Sequence, residues 1–126
     1  MTRILAENAA KAARTVYVTG KKQFPVLDCI KIAFCDGYLT MTSFDWKKQE
    51  PKTEKVSAIY EGETWSTCVP MRAFKDWLGV VAKSKEVLSL EFDPMCQYLT
   101  ITTDPRATGT RSKTTFKCID AQEFPI

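Results

Sequence analysis

The side chains with the clearest chemical potential in this sequence are basic, and they recur on two segments with helical periodicity. At 100° per residue, each segment directs an apolar stripe one way and its cations the other. If the two helices lie side by side, these cations form one surface that binds phosphates without reading bases. The set is Lys11, Arg14, Lys21, Lys22, Arg72, Lys75 and Lys83. A charged helical face is also typical of plain solvated surface, and that interpretation stays open.

Most other chemistry is disfavoured by residue types that are missing or badly spaced. Histidine is absent, which removes Ser-His and Cys-His catalysis and imidazole metal ligands. The five cysteines are widely separated and form no C-x-x-C pair, so we expect neither a disulfide framework nor a thiolate metal site. We find no carboxylate pair placed for acid–base work and no nucleotide loop. We therefore predict a protein that is not an enzyme and needs no cofactor.

Composition points to one ordinary globular domain over residues 1–126. The apolar share is 44% and the charged share 26%, with a net charge of +3 that is too small to indicate nucleic acid by itself. No apolar run approaches the roughly 20 residues that span a bilayer, and Met1 to Leu5 does not resemble a secretion signal. We expect a cytoplasmic protein whose cysteines are small core residues.

Two helices are predicted to position the cations. The first runs from about Ala6 to Tyr17, with alanines on its inner face, and ends before Gly20. The second runs from about Pro70 to Lys83, with Phe74, Trp77, Leu78 and Val81 on one stripe. Gly79 interrupts the polar face of the second helix at a cost of roughly 1 kcal/mol relative to alanine. Close approach by another molecule would explain that cost; simple tolerance is the alternative.

An internal repeat sets the rest of the fold. Tyr38–Thr42 returns as Tyr98–Thr102, sixty residues later, and each copy follows an alternating run, Ile30–Phe34 or Leu88–Phe92. A turn separates each pair, with Asp36-Gly37 in the first. Each copy therefore contains a hairpin preceded by a helix.

Further strands complete each copy. We predict strands at Val56–Tyr60, Thr64–Val69 and Lys113–Ile119, a solvated loop at Lys47–Lys55, and an opening strand shortened to little more than Ile4-Leu5. The result is an α+β domain with two helices packed on one side of antiparallel sheet. Its pseudo-twofold halves are about residues 4–66 and 67–126.

At these residues the chain resembles a known family, the bacterial DNA polymerase III beta subunit or DNA sliding clamp. Five stretches in the right order resemble its first domain: Phe24–Ile32, Asp36–Asp45, Val69–Phe74, Arg111–Lys113 and Ala121–Pro125. The likeness runs over about residues 6–125. It implies the DNA-clamp fold, whose domains are each built from two similar halves.

The resemblance also implies a function and partners. Family members form rings of six similar domains around duplex DNA, with helices lining the hole, and they tether a polymerase after loading by a clamp loader. By this resemblance Lys21 and Arg72 contact DNA, while Arg111, Lys113 and Phe116 lie on the edge strand that pairs with the next subunit. A single-domain chain would then form a head-to-tail homo-oligomer, six copies closing a ring.

Three interpretations remain at this point. The first is a self-assembling processivity factor that encircles DNA. The second is an interaction protein or clamp fragment that covers the edge of another clamp without sliding. The third is a small enzyme or small-molecule binder on a similar frame, which the missing histidine and missing ligand motifs disfavour.

Overall fold

The computed structural model describes residues 2–18, 28–60, 64–81, 87–103 and 113–124. Within these ranges, two α-helices and eight β-strands follow one another, and a short 3-10 turn comes after them. Their bounds are β1 Thr2–Leu5, α1 Ala6–Val16, β2 Cys29–Cys35, β3 Tyr38–Asp45, β4 Glu50–Tyr60, β5 Thr67–Pro70, α2 Met71–Val81, β6 Val87–Asp93, β7 Tyr98–Thr103, β8 Lys113–Lys117 and the turn Ala121–Glu123. The predicted α+β class with two helices on antiparallel sheet is confirmed.

All eight strands belong to one antiparallel sheet in the order β5-β2-β3-β4-β1-β6-β7-β8. The two ends of this order meet at a single bridge beyond β8. There Cys68 and Ile119 exchange two backbone hydrogen bonds, with N···O distances of 3.0 and 2.9 Å. The sheet therefore wraps around its own inner face, on which the two helices pack.

The predicted repeat is visible in the strand register. Tyr38 pairs with Ser57 in the first half, and Tyr98 pairs with Lys117 in the second. The hydrogen bond from the Ala58 amide to the Gly37 carbonyl likewise returns as one from the Cys118 amide to the Gln97 carbonyl. The first hairpin turn is tight because Asp36 and Gly37 both adopt positive φ, 49° and 83°. The halves thus share one hydrogen-bonding plan.

The two helices pack on the inner face of the sheet and complete the hydrophobic core. In α1 the buried side chains are mostly alanine, whereas α2 buries the larger Met71, Phe74, Leu78 and Val81. The helices pack against each other and over the inward side chains of the strands. Buried Ser43 on β3 donates a hydrogen bond to the Val16 carbonyl at the end of α1. That carbonyl has no partner within the helix, so the bond fixes the end of α1 against the sheet.

Two local predictions differ from the structure, and a third is met with an unexpected placement. The loop predicted at Lys47–Lys55 is wrong, because β4 already begins at Glu50 and pairs with β3 up to Asp45. Charged residues conceal the alternation there, because most side chains of β4 are exposed. The strand predicted from Thr64 begins at Thr67. The opening strand is short, as expected, yet β1 is central, because it pairs with both β4 and β6.

Candidate nucleic-acid interface

The exposed face of the helix pair is where the structure places the described basic candidates. The end of α1 lies beside the first turns of α2, since the Lys75 ammonium stands 4.2 Å from the centre of the Tyr17 ring. Arg14 lies one helical turn before Tyr17, and Arg72 lies one turn before Lys75. The two arginines therefore belong to the same end of the helix pair.

Lys11, Arg14 and Arg72 are all exposed. Sequence periodicity placed all three opposite the apolar stripes, and the structure agrees because the inward positions are taken by alanines in α1 and by Phe74 and Leu78 in α2. A guanidinium presents five donors in a planar fork that matches phosphate oxygens. The two arginines at one end are thus suited to grip a phosphate backbone.

Lys75 is placed differently from these three. Its side chain is 27% exposed, it lies over the Tyr17 ring, and its ammonium is 3.6 Å from the Asp76 carboxylate. A cation held over an aromatic face is attracted by the ring quadrupole. Lys75 therefore adds positive charge to this end of the pair while it links α2 to the end of α1.

The charge of the helix pair is unevenly distributed. Its acidic residues are Glu7, in the first turn of α1, and Asp76, which is close to Lys75. Glu7 lies at the opposite end of α1 from Arg14. The arginine end is therefore the more electropositive one. Lys21, Lys22, Lys83 and Arg111 lie outside the described residues and stay predictions.

The predicted interface strand, β8, has one unpaired side over the part of the chain that the structure describes. Because the Cys118 amide bonds to Gln97, the alternation of the antiparallel ladder directs the backbone of residues 114 and 116 toward β7. The backbone groups of Lys113, Thr115 and Lys117 then point to the free side. Lys113 is exposed there, as expected of an interface residue.

Phe116 does not present its side chain at that edge. It is 8% exposed, and its ring packs edge-on against Phe74 at 5.8 Å and Trp77 at 6.4 Å between ring centroids. Because its backbone groups are also directed toward β7, Phe116 presents neither its side chain nor its backbone to the free side of β8, unlike the predicted interface residue. A reading of the sequence could have found this, because Phe116 has the parity of the buried positions in its strand.

A second free edge, on β4, was missed from sequence. By the same alternation, the Ala58–Gly37 bond directs the backbone of Pro51, Thr53 and Lys55 away from β3. β1 pairs only with the far end of β4, at residues 58–60. Pro51 lacks an N–H, so it fits the side of a strand where no ladder bond is made. Pro51 within this charged segment was the sequence feature that could have indicated a free edge.

The expectation of core cysteines is met by Cys29, Cys68 and Cys118, which are buried, and not by Cys35 and Cys96, which are exposed. Burial, with the Asp28 carboxylate second, raises the pKa of Cys29 to about 11, and burial raises that of Cys68 to about 12. Burial also raises the pKa of Cys118. Raised values keep these thiols protonated and unreactive. Within the described ranges, no cluster of three or more His, Cys, Asp or Glu residues could hold a metal ion, and no helix is long and apolar enough to cross a membrane.

Comparison with solved structures identifies the fold. The DNA polymerase III subunit beta from Pseudomonas aeruginosa matches with a TM-score of 0.77 and 21% sequence identity. A DNA polymerase sliding clamp from Caulobacter crescentus matches with a TM-score of 0.83 and 17% identity. Each match covers 100% of this chain and 32% of the other, so the chain spans about a third of their length. No protein-family model and no curated protein matches the sequence.

This chain has the fold of one domain of a bacterial DNA polymerase sliding clamp, with its helix pair, its wrapped antiparallel sheet and its pseudo-twofold register.

Proposed function

We propose that this protein is a processivity factor of the sliding-clamp kind, which encircles duplex DNA without sequence preference and tethers a polymerase in the cytoplasm. The observation that carries the proposal is the placement of exposed Lys11, Arg14 and Arg72 on the helix pair of a clamp-type domain. Lys21, Lys22, Lys75 and Lys83 complete the proposed lining.

The chemistry of that face suits sliding. Lysine and arginine neutralise phosphates and release counterions, and each neutralised phosphate steepens the salt dependence of binding by about 0.9 in log–log slope. On the described helices, Asn8 is the one side chain with a carboxamide, and no array of such groups is arranged to read base edges. Contacts limited to phosphates leave all sequences nearly equal in energy, which is what movement along DNA requires.

Ring formation is supported by the two free strand edges. β4 and β8 occupy pseudo-equivalent positions in the two halves, so they lie on different sides of the domain. An edge of one copy that pairs with the other edge of the next copy makes a heterologous contact, and such contacts close into a ring when the rotation permits. We propose six copies in head-to-tail order.

Assembly is tested by absolute mass from light scattering across concentration. One chain is 14.3 kDa, so a six-copy ring has a mass near 86 kDa. Thr115→Pro removes an N–H on the free side of β8 and leaves the ladder to β7 intact, so we expect a folded monomer. Thr115→Ala keeps the N–H and should still assemble. A monomeric parent chain, or a Thr115→Pro variant that still assembles, would contradict the proposed interface.

The basic face is tested by binding to a short duplex over a series of salt concentrations. The double change Arg14→Glu and Arg72→Glu should lower affinity at least tenfold at low salt and reduce the log–log salt slope by about two. Lys47→Glu with Lys48→Glu makes the same change of net charge in the β3–β4 turn and serves as the control. Equal losses in both double variants would show that net charge alone, not this face, governs binding.

One observation favours a second function, in which the chain covers the edge of another clamp without sliding. The free edges are unequal, since β4 carries Pro51 and several charges, and these features oppose further strand pairing. A domain with a single adhesive edge ends an assembly and does not propagate it. This alternative predicts a monomer that binds a three-domain clamp, with binding lost in Thr115→Pro and retained in Arg14→Glu.

A further inference from the structure

A groove of about 430 Å³ opens beside the free edge of β4, between that strand and α1. Lys11, Ala12 and Thr15 line it from the helix, and residues 54–57 line it from the strand. Ala12 and Val56 form its floor, since they are 6% and 2% exposed. The small side chains at these two positions leave the space open.

The equivalent position in the second half is filled. Trp77 corresponds to Ala12 and Phe116 corresponds to Val56, and the two rings pack edge-on with 6.4 Å between their centroids. Val80, which corresponds to Thr15, lies one helical turn beyond Trp77 and is 71% exposed. The flank of β8 is therefore convex and apolar, whereas the flank of β4 is concave.

The charges on the two flanks are opposite. Lys11 is the middle residue of α1, and the corresponding middle residue of α2 is Asp76. Both residues are exposed, and the Asp76 carboxylate lies 3.6 Å from the ammonium of its neighbour Lys75. An exposed ion pair is weak, so Asp76 stays available to a second cation.

We infer that the groove between α1 and β4 receives the Trp77 and Val80 flank of a second copy, with Lys11 of one copy opposite Asp76 of the next. This contact rests on the proposed clamp function and specifies the side chains that select its head-to-tail order. β4 and β8 are equivalent strands, so their antiparallel pairing relates the flanking helices by an approximate twofold axis. Such an axis brings the middle of α1 against the middle of α2, where the two flanks complement each other in shape and in charge.

Contacts between like flanks fit less well. Two α1 flanks would place Lys11 against Lys11, and two α2 flanks would place Asp76 against Asp76, so repulsion opposes both arrangements. Two concave flanks would also leave space between them, and two convex flanks would hold the strand edges apart. The helix flanks therefore favour the head-to-tail order.

The lysines of the edge strands do not choose among these arrangements. Lys55 on β4 and Lys113 and Lys117 on β8 alternate with the inward side chains, so they lie on the outer face of the sheet, away from the helices. Any pairing of two edges brings such lysines near one another. The selective charges are those on the helices.

Complementation between two blocked variants tests the contact, with no DNA present. Ala12→Trp fills the groove with the side chain that Trp77 supplies in the other half, and Val80→Asp places a charge on the convex flank at an exposed position. Each variant keeps one intact flank, so light scattering should find each alone to be a monomer of 14.3 kDa. An equimolar mixture should form a 1:1 dimer of about 29 kDa, because the intact convex flank of Ala12→Trp meets the intact groove of Val80→Asp.

A charge exchange tests the ion pair. Asp76→Lys should raise the concentration at which half of the chains assemble at least tenfold, and Lys11→Glu added to it should restore assembly. Glu7→Lys makes the same change of net charge in the first turn of α1, outside the groove, and should leave assembly unchanged. A melting temperature close to that of the parent shows that each variant is folded.

Four results would overturn the inference. Dimers of Ala12→Trp alone or of Val80→Asp alone would mean that like flanks associate. A mixture that stays monomeric would mean that the two flanks do not complement each other. Assembly of Ala12→Trp, Val80→Asp and Asp76→Lys as strong as that of the parent would mean that the strand edges form the ring without these flanks, and the proposed clamp function would stand. A parent chain that is monomeric at every concentration would contradict both this contact and the proposed ring.

Discussion

The two halves of this domain follow one backbone plan but are stabilised by different side chains. Both helices have eleven residues, and their positions correspond one to one, yet Ala9 and Ala13 in α1 face the core where Phe74 and Leu78 do so in α2. Large side chains from α2 extend across the interior to Phe116 of β8. Symmetric hydrogen bonding thus coexists with an asymmetric core, in which α2 supplies larger buried side chains than α1.

The surfaces of the halves differ as well. At equivalent helix positions α1 carries the Arg14 cation and α2 carries Gly79, whereas α2 carries Arg72 where α1 carries Glu7. The basic groups thus gather at one end of the helix pair instead of repeating at both. Because sequence-independent DNA contact needs cations on one lining surface and not symmetry, this divergence fits the proposed function.

The largest loss in the free energy of unfolding is expected from Phe74→Ala. Phe74 is fully buried against Phe116, so its truncation leaves a cavity and should lower the free energy of unfolding by about 4 kcal/mol. Urea denaturation of the parent and variant measures the loss. Val80→Ala, at a position of the same helix that is 71% exposed, is the matched control and should change stability by less than about 0.5 kcal/mol. Similar losses in both would refute the asymmetric core.

Next in size is Phe124→Ala, which removes the largest side chain of the small cluster formed with Cys29, Cys68 and Ala121. Removal of the ring uncovers Cys29 and Cys68 and should cost about 3 kcal/mol, since Phe124 is 5% exposed. A thiol reagent at neutral pH should then modify these cysteines in the native state. In the parent chain the exposed Cys35 and Cys96 should react and Cys29 should not. Unchanged reactivity of Cys29 and Cys68 in the variant would show that the turn does not cover them.

The buried thiols also predict that the stability of the fold depends on pH in the alkaline range. The pKa values of Cys29 and Cys68 are raised in the folded chain to about 11 and 12, from an ordinary 9.0. Above pH 9 the unfolded chain loses these protons and the folded chain keeps them, so stability is full below pH 9 and falls as pH rises toward 11. Thermal unfolding at a series of pH values measures this fall. Cys29→Ala with Cys68→Ala should make the fall smaller and leave the part due to Cys118, and an equal fall in that variant would contradict the assignment.

The smallest effect concerns Gly79, the counterpart of Arg14. A methyl group added there meets no atom within 4 Å, so Gly79→Ala should raise helix stability by about 1 kcal/mol. If duplex DNA approaches the α2 backbone at this point, the same change lowers DNA affinity while stability rises. A stabilised variant with unchanged affinity would mean that Gly79 is simply tolerated.

Much of the fold could be predicted because its signals are local. Alternating apolar residues and turn residues predict the two hairpins, at Tyr38–Thr42 and Tyr98–Thr102. The apolar stripe through Phe74 and Leu78 predicts α2. The exposure of Lys11, Arg14 and Arg72 follows from the same helical period. Where the periodicity of apolar residues matches the buried face of an element, the sequence alone predicts that element.

Other features depend on tertiary contacts that no local pattern records. The charged β4 was predicted to be a loop because most of its side chains are exposed and polar, which hides the alternation of a strand. The helical period places Lys75 on the polar face of α2, yet Tyr17, just after the end of α1, lies against its side chain. Each of these required knowledge of which element is adjacent in space.

Retention on closed circular DNA is the direct test of the proposal that copies of this chain encircle duplex DNA. Protein mixed with closed circles and separated at moderate salt should remain bound, and linearisation by a single cut should release it, because a ring slides off a free end. Arg14→Glu with Arg72→Glu should reduce retention on the circle. Equal binding to circular and linear DNA, or release from both at the same rate, would contradict encirclement.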